Sequence, residues 1–251
     1  MGATNNVVEI GRGQTSCENC CLNRFCLANG LKAEEVATLN RITRQSRPFS
    51  RGAAIFRAGE ELEALYVVRS GAVKIFTSAP DGVDQIIRFH LPGDLIGLDA
   101  MGSGRHTTTA VALDTTSVCI VPWSAVDSER SPLPVLQSQV LRIVGTELAT
   151  ENERMIMLAQ RAALARLAAF LIHLSEQFRR RGFSATEFHL SMSRQEIANY
   201  LGLAIETVSR LFSQLQAEDL IDVSRRFVQI RRLEALRQLA YGEEHGRRAA
   251  S

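Results

Sequence analysis

Ser193-Arg-Gln-Glu-Ile-Ala-Asn-Tyr-Leu-Gly202, running on into Leu203-Ala-Ile-Glu-Thr-Val-Ser-Arg-Leu-Phe-Ser-Gln-Leu215, decides the fold of the last third of this 251-residue chain. Ser193 and Glu196 have the spacing of a capping box, in which the hydroxyl and the carboxylate each satisfy an orphan backbone N–H. Ile197, Ala198 and Leu201 then form one apolar face, and Gly202 can adopt the left-handed turn that ends a helix. A second helix is expected from about Ala204, with Ile205, Val208, Leu211 or Phe212, and Leu215 on its apolar side. Glu206, Ser209, Arg210 and Ser213, at i, i+3, i+4 and i+7, share the opposite face. Two short helices joined by a tight glycine turn read as a helix-turn-helix. The segment Leu220-Ile-Asp-Val-Ser-Arg-Arg-Phe-Val-Gln-Ile230, with arginines at its tip, reads as a hairpin wing beside it.

Charge is divided unevenly. Residues 161–251 hold 14 basic side chains, all arginine, against 10 carboxylates, whereas residues 1–160 hold 15 against 17. A positive excess beside an exposed helix face suits a polyanion. Arginine pairs with O6 and N7 of guanine, glutamate accepts from N4 of cytosine, and serine can meet either groove partner. Double-stranded DNA is therefore the expected partner, read by Glu206, Ser209 and Arg210. In isolation such a pattern means only a solvated helix face; the cap, the turn and the wing argue against that here.

Apolar content of 45% and charged content of 22% are those of an ordinary soluble protein. No apolar run approaches the roughly 20 residues that span a bilayer, and Met1 to Ser16 contain no hydrophobic signal core. A cytoplasmic, membrane-free protein with reduced thiols is the expectation.

Ahead of the helix-turn-helix, from about Phe49 to Trp123, short β-branched runs alternate with turn residues. Leu65-Tyr-Val-Val-Arg69 meets Ser70-Gly71, Ala72-Val-Lys-Ile-Phe-Thr77 meets Pro80-Asp81-Gly82, and Gln85-Ile-Ile-Arg-Phe-His-Leu91 meets Pro92-Gly93-Asp94. This punctuation predicts a small antiparallel barrel or roll. Between the two halves, Leu141, Val144, Leu148, Glu151, Met155 and Leu158 fall at alternating steps of three and four. That is a coiled-coil seam with one carboxylate in it. Two copies of the chain would associate along it, Leu148 and Met155 flanking Glu151, whose like charges would oppose association. A helix packed on its own domain, with Glu151 at the rim, is the alternative.

Near the start, Cys17-Glu-Asn-Cys-Cys-Leu-Asn-Arg-Phe-Cys26 places four thiols in ten residues, and the one other cysteine is Cys119, inside the predicted strand Ser117-Val-Cys-Ile-Val121. Thiolates are the ligands that soft metals and iron–sulfur clusters require. A group bound by Cys17, Cys20, Cys26 and Cys119 would pin the N-terminal loop onto the domain carrying that strand. A disulfide framework is disfavoured by the odd count and the missing signal. Zinc also takes four thiolates, usually from two CxxC knuckles, of which the second is missing. Spacing alone does not separate zinc from a cluster. No histidine–carboxylate or nucleophile–base grouping lies near the thiols in sequence, so an iron–sulfur enzyme is the weaker alternative and no catalytic residue is expected.

The placing of Gly59, Gly71, Pro92-Gly93-Asp94 and Gly97 resembles the β-roll of cyclic-nucleotide-binding domains. In that family an acid just after the turn and a later Arg–Ser/Thr pair hold the ribose and phosphate. Here Leu98 takes the acid's place and Arg105 is followed by His106, so no cyclic nucleotide is expected. From about Cys17 to Ala240 the chain is similar to the CRP/FNR superfamily of bacterial transcription regulators, and within it to the FNR branch. Glu206-Thr-Val-Ser-Arg210 matches that branch's recognition helix, and Cys17, Cys20, Cys26 and Cys119 match its four cluster ligands. The resemblance implies an α+β chain with a cysteine-rich loop (1–30), a β-roll (31–133), a dimerisation helix (134–160), a winged helix-turn-helix (161–240) and a tail (241–251). It also implies an oxygen-labile [4Fe-4S] cluster, a homodimer on palindromic TTGAT-type DNA, control of anaerobic metabolism genes, and contact with RNA polymerase. Arg210 and Glu206 would read the G·C pair, and Ser209 the adjoining thymine. A zinc- or disulfide-based thiol sensor on the same DNA-binding scaffold is the alternative. Two departures stand out: Ala204 replaces a common capping threonine, and Cys21 directly follows a ligand position, where it could replace Cys20 or tune the cluster.

Overall fold

The computed structural model of the chain describes residues 16–79, 82–127 and 133–242, so the expected tail lies outside the described residues except for Tyr241 and Gly242. Helix α1 (Ala33–Ile42) leads into eight short strands: β1 (Arg44–Gln45), β2 (Ala54–Phe56), β3 (Ala64–Ser70), β4 (Val73–Ser78), β5 (Asp84–His90), β6 (Leu95–Ile96), β7 (Thr109–Ala112) and β8 (Ser117–Pro122). They form two antiparallel sheets, ordered β1-β8-β3-β6 and β2-β7-β4-β5. Phe56, Val68, Val73, Ile96 and Ala110 come from both sheets and share one buried cluster, so the sheets pack face to face as a roll. Gly71 turns β3 into β4 at φ +80°, and the side chains of Thr116 and Asp114 fill the space a Cβ would need. The β-rich middle is thus as expected, but α1 carries no cap signal strong enough to have announced it.

The inside of the roll is filled by the segment that in cyclic-nucleotide-binding domains grips the ligand. His106 is buried and stacks on Phe56 with ring centroids 3.8 Å apart. Its Nδ1 lies 3.1 Å from the Asp99 carboxylate. Asp99 also accepts from the N–H groups of Thr107 and Thr108, at 2.8 and 3.0 Å, and from the Thr108 hydroxyl at 2.8 Å. Arg105 turns outward to Glu61 and to the carbonyl of Gly59.

Helix α2 (Val135–Gln160) runs 26 residues, about 39 Å at 1.5 Å per residue. Leu136 and Val140 are buried with Leu27, Leu39, Leu65 and Val121, which fastens the start of α2 to the roll and the cysteine loop. Leu141, Leu148 and Met155, seven residues apart, are each more than 60% exposed. The seam pattern needs one correction. Glu151 is not an unpaired carboxylate on this stripe, because Arg88 of β5 donates to it from Nε and Nη2, at 2.9 and 2.5 Å. Arg154 adds a third bond at 3.2 Å. At 100° per residue, Val144, Glu151 and Leu158 lie about 40–80° round the helix from Leu148, all on one side. That side faces the roll and the C-terminal domain, and Val144, Glu151 and Leu158 are accordingly half-buried.

The C-terminal domain comprises α3 (Ala163–Arg180), β9 (Glu187–His189), α4 (Arg194–Leu201), α5 (Ile205–Ala217), β10 (Ile221–Ser224), β11 (Phe227–Ile230) and α6 (Leu233–Tyr241), with a sheet ordered β10-β11-β9. Helices α4 and α5 are the expected pair. Ser193 and Glu196 close the capping box, and Gly202 ends α4 at φ +64°. Ala204 provides no side-chain cap to α5. Val208, Phe212 and Leu215 are buried, but Ile205, expected on the apolar face, is 38% exposed. It opens the first turn, before the helix reaches the core. Ala72, Leu91 and Leu113 of the roll join the same buried cluster as the helices of this domain.

Asp99 is held by one ring and four backbone or hydroxyl donors, the Thr107 hydroxyl being the longest at 3.4 Å, and its removal strands them. Asp99→Ala is expected to cost roughly 2–3 kcal/mol at pH 7. Burial alone would raise this carboxyl, but the bonds from His106 and Thr108 outweigh it and hold it below its ordinary value of 3.8. Its contribution is therefore present above about pH 4 and lost as pH falls through the folded value. Urea denaturation should show the gap between wild type and variant narrowing below that pH.

Candidate metal centre and nucleic-acid interface

The cysteine loop opens with a single 3-10 turn at Cys17–Asn19, and the Cys17 N–H donates to Asn40 Oδ1 of α1 at 2.9 Å. Tight backbone bonds follow, from Asn23 N–H to Cys20 O at 3.1 Å and from Cys26 N–H to Leu22 O at 3.0 Å. Cys119 lies mid-strand in β8, opposite Gln45 on one side and Val67 on the other. Cys17, Cys20, Cys26 and Cys119 line one cavity, whose wall is otherwise made by side chains such as Leu27, Leu39, Val67 and Val121. Cys21, one residue on, is exposed and does not line it.

Burial pushes the Cys119 thiol up to about 12 and the Cys26 thiol up to about 11, and mutual repulsion between the would-be thiolates adds to both. Arg69, on the same wall, opposes the rise at Cys119. The donor set is soft and anionic once deprotonated, in an apolar setting, which fits an iron–sulfur cluster. Thr43 Oγ1 also lines the cavity and is buried without a hydrogen-bond partner, a donor available to an acceptor placed there. Among the described residues no three His, Cys, Asp or Glu side chains are grouped as one metal ion would need. The thiols surround a space and do not close on a point.

The loop also touches the roll away from its thiols. Phe25 packs on Gly93, where an added Cβ would come within 3.1 Å of the Phe25 Cβ. On the same turn, Arg181 donates to the Pro92 carbonyl at 2.6 Å and to Asp94 at 2.5 Å. The Pro92-Gly93-Asp94 turn therefore has the cysteine loop at Gly93 and the end of α3 at Pro92 and Asp94.

At the other end of the molecule, Glu206, Ser209, Arg210 and Ser213 are exposed on α5. The Ser209 hydroxyl donates to the Ile205 carbonyl at 2.9 Å, and Arg210 has one long bond to Thr207 Oγ1, at 3.4 Å. Its guanidinium is free to reach outward. The hairpin of β10 and β11 turns at Arg225, φ +56°, beside this face.

Residues 46–129 match the model of the cyclic nucleotide-binding domain, and residues 165–239 match that of the Crp-like helix-turn-helix domain. The transcriptional activator protein Anr of Pseudomonas protegens is 44% identical over 208 residues, 83% of this chain and 85% of that protein. The chain belongs to the CRP/FNR superfamily. The fumarate and nitrate reduction regulatory protein of Escherichia coli K12 is 38% identical over 233 residues, 93% of each chain. Among solved structures, FixK2 from Bradyrhizobium japonicum superposes with a TM-score of 0.70 at 31% identity, covering 79% of this chain and 97% of that one. A CRP/FNR member with a Crp-like helix-turn-helix is a DNA-binding transcription regulator and not an enzyme. No helix of the described residues is long and apolar enough to cross a membrane.

What the sequence did not signal is the docking of Phe25 and Arg181 on the Pro92-Gly93-Asp94 turn, since the turn motif says nothing of what packs on it. At φ +99°, Gly93→Ala adds backbone strain to the contact with Phe25. The substitution is expected to cost roughly 1–3 kcal/mol. It should also make Cys26 react faster with a thiol reagent in metal-free protein, while Cys119, held in its sheet, keeps its rate.

Proposed function

We propose that the chain is an oxygen-responsive regulator whose Cys17, Cys20, Cys26 and Cys119 hold a [4Fe-4S] cluster, and which as a dimer binds palindromic TTGAT-type sites to control anaerobic metabolism genes. The observation that carries this reading is the meeting of three loop thiols with a fourth, far away in sequence, on one cavity wall. When bound, such a cluster supplies an oxygen-labile cross-link between the loop and β8. The chain's own residues do the rest. Cys119 is the fixed partner, because β8 is paired on both sides, and the loop thiols come to it. Cys21 borders the site and tunes its exposure to oxidants.

The loop and α2 share the buried cluster of Leu27, Leu136 and Val140, so a loop held in place holds the start of α2. The exposed stripe of Leu141, Leu148 and Met155 is then the surface a second copy covers. Glu151, beside the stripe and already held by Arg88 and Arg154, keeps association conditional on those bonds: if they were lost, two unpaired carboxylates near a two-fold axis would oppose pairing. The dimer places two copies of α5 in successive major grooves. Arg210 and Glu206 read the G·C pair, and Ser209 the next thymine. His106 and Phe56 fill the interior of the roll, which supports a sensor that does not take a cyclic nucleotide. RNA polymerase is the expected downstream partner, as in the family resemblance.

The anaerobic visible spectrum is the deciding experiment. Brown protein with bound iron and sulfide that bleaches in air supports the reading. Colourless protein with bound zinc, or none, supports a zinc- or disulfide-based thiol sensor and ends it. Cys119→Ser should lose the colour and the sulfide while keeping its fold by circular dichroism; full cluster content in that variant would end the four-ligand assignment. Arg210→Ala should weaken binding to a TTGAT-type site by about 1–3 kcal/mol and relax choice at one base pair. An equal loss on non-specific DNA at the same salt would make Arg210 a phosphate contact.

A further inference from the structure

Helix α4 is docked on the roll at two separate points. Near its start, Glu196, the carboxylate that closes the capping box, also takes Lys74 Nζ of β4 at 3.0 Å. Both side chains of that pair are mostly buried. Near its end, the Asn199 side chain meets β5, the outer strand of its sheet. Asn199 Oδ1 accepts the Ile86 N–H at 2.6 Å, and Nδ2 donates to the Asp84 carbonyl at 2.7 Å. One side-chain amide thus does for this strand edge what a neighbouring strand would do. Gln85 Nε2 adds a bond to the Asn199 carbonyl at 2.9 Å.

Tyr200, the next residue, ties in the long helix. Arg154 of α2 lies over its ring at 4.3 Å and donates to its carbonyl at 3.3 Å, while also holding Glu151 and the Ile86 carbonyl. The same ring lies 5.0 Å from Phe89 of β5 and 5.6 Å from Phe170 of α3. A single anchor would leave α4 free to swivel. Anchors a turn apart, Glu196 and Asn199, fix its direction on the sheet, and Arg154 references that direction to α2. The reading face of α5 remains exposed in this docked arrangement, so the docking is compatible with contact to DNA.

We infer that Asn199, with Arg154 and the Lys74–Glu196 pair, is a positioning element: it sets the angle of the reading helix against the dimerisation helix, and thereby the half-site spacing that the dimer accepts. This rests on the dimeric, palindrome-reading function proposed above. In a dimer the two α2 helices define the two-fold axis, so whatever fixes α4 to α2 in each chain fixes where both α5 helices point. One base pair added between half-sites rotates one against the other by about 35°. A rigid docking resists that rotation, and a loose one absorbs it.

The test uses the cluster-loaded full chain, handled without air, on TTGAT-type palindromes with the native spacer and with one base pair added or removed. Wild type is expected to lose roughly tenfold or more on either altered spacer. Asn199→Ala should bind the native spacer more weakly, cut the spacer penalty to about twofold, and leave affinity for a single half-site and dimer content by sedimentation unchanged. Lys74→Met, which lies outside the DNA-binding domain and leaves the Ser193–Glu196 capping box in place, should shift the penalty in the same direction, and Asn199→Gln should restore it in part. A second measurement needs no DNA: the distance distribution between spin labels carried by non-natural residues at Arg57 and Gln216 should widen in Asn199→Ala. Unchanged spacer penalties in Asn199→Ala and Lys74→Met, or an unchanged distance distribution, overturn the inference. Wild type that binds no palindrome while the distribution still widens would instead overturn the proposed function and leave the positioning role standing.

Discussion

The buried side chain of Arg88 ties β5 of the roll to α2. Its guanidinium is mostly buried and reaches two carboxylates on adjacent turns of α2, Glu147 at 3.0 Å and Glu151 at 2.5 Å. Burial would lower its pKa, but the two carboxylates outweigh that, and the group is held above its ordinary range. Breaking a buried pair of this kind is expensive because it leaves a charge without a partner. The pair therefore sets the rotation of α2 about its own axis. With that rotation set, Leu136 and Val140 face the roll, Leu141, Leu148 and Met155 face outward, and Arg154 falls over Tyr200. One ion cluster thus aligns the exposed apolar stripe of α2 with the docking of the DNA-binding domain.

Two chains of contact lead away from the cysteine loop. The first runs from the cysteine loop through Leu27 to the start of α2. The second runs through Phe25, the Pro92-Gly93-Asp94 turn and Arg181 to the end of α3. Both are chains of packed or hydrogen-bonded groups within one protomer. Under the proposed function, a loop released from Cys119 would loosen both at once.

The roll is packed internally by its own side chains. Glycine turns shape it, Asp99 occupies the donors of Thr107 and Thr108, and His106 lies flat on Phe56 in the interior. These bonds hold the 99–108 segment against the interior of the roll.

Sequence alone determined the parts whose cause is local. Ser193, Glu196 and Gly202 specify where α4 begins and ends, the spacing of Val208, Phe212 and Leu215 specifies the buried face of α5, and turn residues at short intervals specify the roll. The density of cysteines between Cys17 and Cys26 marked that loop for thiolate chemistry, while its meeting with Cys119 on one cavity is tertiary. Tertiary structure decided what depends on residues far apart. Periodicity placed Glu151 in a seam, but only Arg88, 63 residues away, turned it onto the roll. Ile205 matched the apolar spacing, yet the core does not extend to its turn. Asn199 and Tyr200 are unremarkable in a helix sequence, and their role exists only because α4 lies against the open edge of β5. Local patterns record local backbone preferences; a partner supplied by another element leaves no trace in the spacing of its neighbours.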